Sequence, residues 1–166
     1  MAPPPFSFGK MKSEYHEPKT LPGERAVPSI RIDAGRLLKL LLRAELMMNA
    51  VDRRRYASRA IDATQDVIAE FALAYDFDED RLYHLKRMWG RIAVLLEIMR
   101  IIGETNAIRV KPQYETMTPD QMKLELFNTV ARLDEGATKW KKTVLQKQRN
   151  KGKPHVAGRN EQSPDE

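Results

Sequence analysis

His84, Arg87 and Arg91 stand three and four residues apart, so a helix would line them along one face, and no acid stands among them. Guanidinium forks match phosphate and carboxylate oxygens, which makes this a stripe for holding an anion rather than for making bonds. Exposed arginines on helical proteins usually serve only solubility, so the stripe needs support from elsewhere. Arg53, Arg54, Arg55 and Arg59 crowd the start of a second helix, where the dipole disfavours cations. Helix stability asks for no positive charge there, although Asp52 and Asp62 are at hand as local partners. Lys139, Lys141, Lys142, Lys147, Arg149, Lys151 and Lys153 then give seven positive charges with no negative one between them. Compensation of a helix C-terminus explains the first few of these, not all seven.

The location of charge matters more than its total of +6. Without those seven residues the remaining 22 Lys and Arg face 23 Asp and Glu, so the basic excess is a brush at one end. A near-neutral body with a charged end points to a polyanionic partner held at one place.

Other chemistries are missing their residues. The chain has no cysteine, which excludes disulfides, thiolate metal sites and a thiol nucleophile. Its three histidines, His16, His84 and His155, are too scattered for a metal site. Asp76-Phe77-Asp78-Glu79-Asp80 resembles the opening of a calcium loop. It has Arg81 where the loop needs glycine and Arg87 where it needs glutamate, so calcium is rejected. No phosphate-cradling glycine loop, nucleophile elbow or zincin motif occurs. The expectation is a protein without catalysis, cofactor or metal. With no run of membrane length and no basic and apolar leader blocks, it is placed in the cytoplasm, with no membrane and no small-molecule substrate.

The elements that must position these cations are helices. Residues 1–32 hold six prolines and no helical period, and read as a flexible arm. Residues 33–150 read as an antiparallel up-down four-helix bundle, an all-α fold, and 151–166 as a polar disordered tail. The first helix is expected from an Asp33 cap to about Asn49, with Leu37, Leu41, Ala44 and Met48 on one stripe and Leu38, Leu42 and Leu46 on another. The second runs from about Arg54 to Tyr75 on the seam Ala57, Ile61, Thr64, Ile68, Phe71 and Tyr75. The third runs from Asp78 to Ile102 on Leu82, Leu85, Trp89, Ile92, Leu96 and Met99, with a Phe77–Leu82 staple in front and Gly103 closing it. The fourth opens with a Thr118-Pro119-Asp120-Gln121 capping box and continues on Leu126, Val130, Leu133, Ala137, Trp140 and Val144. Trp89 and Trp140, on the seams, are both expected in the core and not as base-stacking platforms.

Apolar residues exceed what one bundle needs. Leu38, Leu42 and Leu46, with Val94, Ile98 and Ile101, are therefore expected to form an interface between copies of the chain. The arm is the other possible cover, but it offers few large apolar residues beyond Phe6, Phe8 and Ile30.

Three features carry a family resemblance: Arg87-Met88-Trp89-Gly90-Arg91 midway along the third helix, Met117-Thr118-Pro119-Asp120-Gln121 at the start of the fourth, and Trp140 followed by a Lys/Arg-rich tail. In their order and spacing, over roughly residues 33–153, the chain resembles the accessory variability proteins of diversity-generating retroelements. The resemblance implies a four-helix-bundle protomer in a pentameric, barrel-like ring. Such proteins are not enzymes; they bind nucleic acid and the element's reverse transcriptase and support error-prone copying of a template RNA into cDNA. Carried over by position, Arg87 and Arg91 would lie on the basic lateral surface that meets the polymerase or its RNA. The tail lysines match the family's basic end only in general character, and Arg53 to Arg59 match by location. The chain departs from the pattern in its Pro-rich arm, in Gly90 inside a helix, and in a reduced glycine content before Trp140. Two rival readings share the helices: a module that docks on an acidic protein without nucleic acid, and a small enzyme of chorismate-mutase type with inward arginines beside a carboxylate.

Overall fold

Leu126, Val130, Leu133, Ala137 and Trp140 repeat at three- and four-residue steps, and all five side chains are buried on one long helix. That helix belongs to a computed structural model that describes residues 27–152, in which every regular element is helical. The elements are α1 (Val27–Ala44), a 3-10 turn (Glu45–Met47), α2 (Ala50–Asp52), a π turn (Arg53–Ala57), α3 (Ser58–Asp76), α4 (Arg81–Glu104) and α5 (Pro119–Lys151). Residues 50–76 run without interruption as one rod, so the fold has four long helices. α1 packs on α3, α3 on α4, α4 on α5 and α5 on α1, which closes the four around a single core.

The capping box forms as expected. The Gln121 backbone N–H donates to Thr118 Oγ1 at 3.2 Å, and the Thr118 N–H donates to Gln121 Oε1 at 2.9 Å. Gly136 allows α1 to approach: a Cβ there would stand 3.1 Å from Ile30 Cγ1. Arg36–Glu125 (3.1 Å) and Arg132–Asp33 (3.5 Å) extend the same α1–α5 contact.

Four local expectations are corrected. α1 begins at Val27, not at Asp33, because Pro28 falls in the first turn, where a missing N–H costs nothing. Ile30 is thus a fully buried core residue rather than part of an arm. α4 begins at Arg81 and Phe77 stays 56% exposed, so no staple starts it; the Arg81 guanidinium instead donates to the Ala74 and Tyr75 carbonyls at the end of α3. Gly103 lies inside α4, and Thr105 ends the helix with its N–H on the Ile101 carbonyl at 2.8 Å. The fourth correction is the phase of α4. Its buried line is Leu85, Met88, Ile92, Leu95, Ile98, Met99 and Ile102; Trp89 is 43% exposed, and Leu82 and Leu96 are half-buried.

After α4 the chain tucks Ala107 and Ile108 into the interior, and the N–H groups of Arg109 and Val110 both reach the Met47 carbonyl, at 3.0 and 3.2 Å. Arg43 then clasps Glu115 with both ends of its guanidinium, Nε to Oε2 at 3.0 Å. Among the described residues no helix is long and apolar enough to cross a membrane. The arm before residue 27 and the tail beyond 152, with Lys153, lie outside the described residues.

Candidate nucleic-acid interface

The α4 stripe exists, but α3 answers it. Glu70 is a buried carboxylate whose Oε2 meets His84 Nδ1 at 2.6 Å and whose Oε1 accepts from Arg87 Nε at 2.7 Å. Arg87 Nη1 also donates to the Tyr83 hydroxyl at 2.9 Å. That bond first, and Glu70 second, hold the Arg87 guanidinium above its ordinary pKa. Arg91 Nε stands 3.2 Å from Asp66 Oδ2. Arg87 and Arg91 remain about half exposed, so partners can reach them, but each already faces a carboxylate. His84, with only 15% of its side chain exposed, does not extend the stripe outward. Asp66 and Glu70 are one turn apart on α3, and that spacing was the available signal for a matching acidic stripe.

The arginines at the rod's start divide. Arg53 Nε donates to the Glu45 carbonyl at 3.0 Å and Nη2 to the Met48 carbonyl at 3.4 Å, so this side chain closes the 3-10 turn. Arg54, Arg55 and Arg59 are exposed, and none has an acid partner among the described residues. The expected local partners are elsewhere: Asp52 faces Arg109 at 3.8 Å, and Asp62 holds none of the three. Arg54 and Arg55 sit on the π turn, a widened turn of the kind that recurs at functional sites.

The basic end of α5 is also mixed. Lys139 Nζ is bound to Glu135 at 2.7 Å. Lys141 Nζ lies 4.4 Å from the centroid of the Trp89 ring, which places an ammonium over the exposed indole of α4. Lys142 and Arg149 line a shallow groove with Leu145 and Gln146, Lys147 is half-buried, and Lys151 is exposed. Trp140, in contrast, is buried against Phe71, ring centroids 5.6 Å apart. Because Phe71 is twelve residues along the rod from Arg59, the α5 end and the arginine cluster are separated by roughly 20 Å of helix. That exceeds the Debye length at physiological salt, so the two act as separate electrostatic sites.

The residues expected at an interface between copies also separate. Leu42, Leu46 and Val94 are 47%, 58% and 44% exposed, and Leu38 and Ile101 are half-buried. Ile98 belongs to the chain's own core, because the phase of α4 turns it inward. Ile32 and Val51, exposed at 68% and 54%, are further apolar side chains that the expectation missed. A second groove, between α4 and α5, is apolar and lined by Met99, Ile102, Leu124 and Phe127 among others. Neither groove includes Arg87 or Arg91. No cluster of His, Asp or Glu suited to a metal occurs among the described residues. Compared with known proteins, the chain matches no family model, no curated protein and no solved structure.

Proposed function

We propose that this chain is a non-catalytic accessory protein of a diversity-generating retroelement, an antiparallel up-down four-helix bundle that binds reverse transcriptase and its template RNA or cDNA. The observation that carries the reading is the set of exposed cations without acid partners among the described residues: Arg54, Arg55 and Arg59 at one end of the rod, and Lys142, Arg149 and Lys151 on α5. Unpaired, exposed cations are those that neutralise phosphates and release counterions. The lack of any motif for reading base edges supports binding through the backbone rather than by sequence. Exposed Leu42, Leu46 and Val94 support assembly of copies, in this reading into a pentameric ring acting in the cytoplasm.

The test is to measure affinity of the full chain for RNA and DNA oligonucleotides between 50 and 200 mM salt. The logarithm of the association constant should fall by about 0.7–0.9 per neutralised phosphate for each tenfold rise in salt. Absence of binding, or tight binding indifferent to salt, overturns the reading. Co-purification with a reverse transcriptase encoded beside the chain, and a native mass of five copies, test its remaining parts. The apolar α4–α5 groove favours a second reading, docking on a protein without nucleic acid. Capture of the partner by a chain that binds no RNA would select it.

A further inference from the structure

We infer that Trp89 is the stacking platform of a site for unpaired, single-stranded nucleic acid, an inference that rests on the nucleic-acid reading above. An indole is a large apolar group that proteins seldom leave in water, yet Trp89 is 43% exposed while Trp140, on the same bundle, is 3% exposed. Lys141 Nζ stands over the ring, 4.4 Å from its centroid. A cation over a solvated ring is a weak and replaceable cover. A base presents a flat π face that can take its place, and the displaced Lys141, which has no acid partner among the described residues, is then free for the adjoining phosphate.

Cations continue on both sides of the ring. Lys86, one turn before Trp89 on α4, is exposed and has no acid partner among the described residues. Lys142 and Arg149 line the groove that follows Lys141 along α5. An aromatic face set within a cationic track is the arrangement by which proteins hold single strands without reading sequence. Duplex bases keep their faces stacked on each other, so this site favours unpaired nucleotides.

The experiment titrates tryptophan fluorescence of the full chain with a single-stranded oligouridylate and with an RNA duplex of equal length. The single strand should quench the emission saturably, and the duplex should leave it nearly unchanged. Trp89→Phe should retain binding and lose the quench. Trp89→Ala should weaken single-strand binding by about 5- to 150-fold while duplex binding is unchanged. Circular dichroism confirms that both variants are folded, as expected at a half-exposed position. Equal single-strand affinity in Trp89→Ala and the parent overturns the platform and leaves the broader reading standing. Loss of reverse-transcriptase capture in Trp89→Ala with single-strand affinity intact assigns the ring to a protein contact and also overturns it. A parent chain that binds neither probe overturns both readings.

Discussion

Arg87 and Arg91 on α4, and Arg54, Arg55 and Arg59 at the start of the rod, are the same residue type at similar helical spacings and similar exposure. They differ in what the neighbouring helix brings. Glu70 and Asp66 meet the first pair, and Glu70 is buried, so Arg87 satisfies a carboxylate that would otherwise stand in a poorly solvated place. Among the described residues nothing comparable faces the second group. A cation that already holds a carboxylate must lose it, or share it, to bind a phosphate. A solvated cation loses only water and counterions. Exposure therefore does not rank a basic surface; pairing does. By that measure the π turn and the α5 end are the stronger candidates for contact with nucleic acid, and the α4 stripe serves mainly the packing of α3 on α4.

The largest expected effect comes from removing the unpaired group. Arg54→Ala, Arg55→Ala and Arg59→Ala together should lower RNA affinity on the order of a hundredfold at physiological salt and flatten the salt slope by about 2–3, with the melting temperature unchanged. An unaltered slope breaks the comparison. Next, Asp66→Asn with Glu70→Gln should free the α4 arginines, steepening the slope by about two; a slope that stays put would mean Arg87 and Arg91 are out of reach of phosphate. Arg87→Ala with Arg91→Ala should change RNA affinity least, while lowering the melting temperature by about 5 °C, because Glu70 then keeps only His84. Thermal scans beside binding curves separate these outcomes.

The smallest effect is on the pH axis, and Arg43–Glu115 is its paired example. The Arg43 guanidinium, and then the Met117 N–H, hold the Glu115 carboxyl down at about 2 from an ordinary 4.5. A depressed carboxyl stabilises the fold fully above its unfolded value, and that contribution disappears as pH falls from about 4.5 towards 2. Glu115→Gln should melt below the parent at neutral pH, and the gap should close across that acid window. A gap independent of pH would show that the ionised pair is not its source.

Much of the fold is legible in single segments. Thr118-Pro119-Asp120-Gln121 starts α5 by purely local bonds, and the buried residues from Leu126 to Trp140 follow one regular seam, with Phe127 the one large apolar side chain off it. α4 is different. It carries large apolar side chains nearly all round, and a seam through Trp89 scores as well as one through Met88, one residue and about 100° away. The packing of α4 on both α3 and α5 makes the choice, and it leaves the indole outside, under Lys141. The pairing of Arg87 and Arg91 was hidden for the same reason: their acids lie 17 and 25 residues earlier, and only the packing of two helices joins them. In the sequence Arg53 is indistinguishable from its neighbours, because its partners are backbone carbonyls, which no sequence pattern marks.

The widened segment Arg53–Ala57 has a consequence for how the chain tolerates changes of length. A turn of this type is an ordinary helix that has absorbed one surplus residue, so a single deletion there restores the regular repeat and leaves the upstream and downstream faces in register. The same deletion in the first half of α5 has nowhere to be absorbed. Every later position rotates by about 100°, and Trp140 leaves Phe71 for solvent. Within the described helices this segment is thus a place where the chain can lose a residue cheaply, and that place carries arginine.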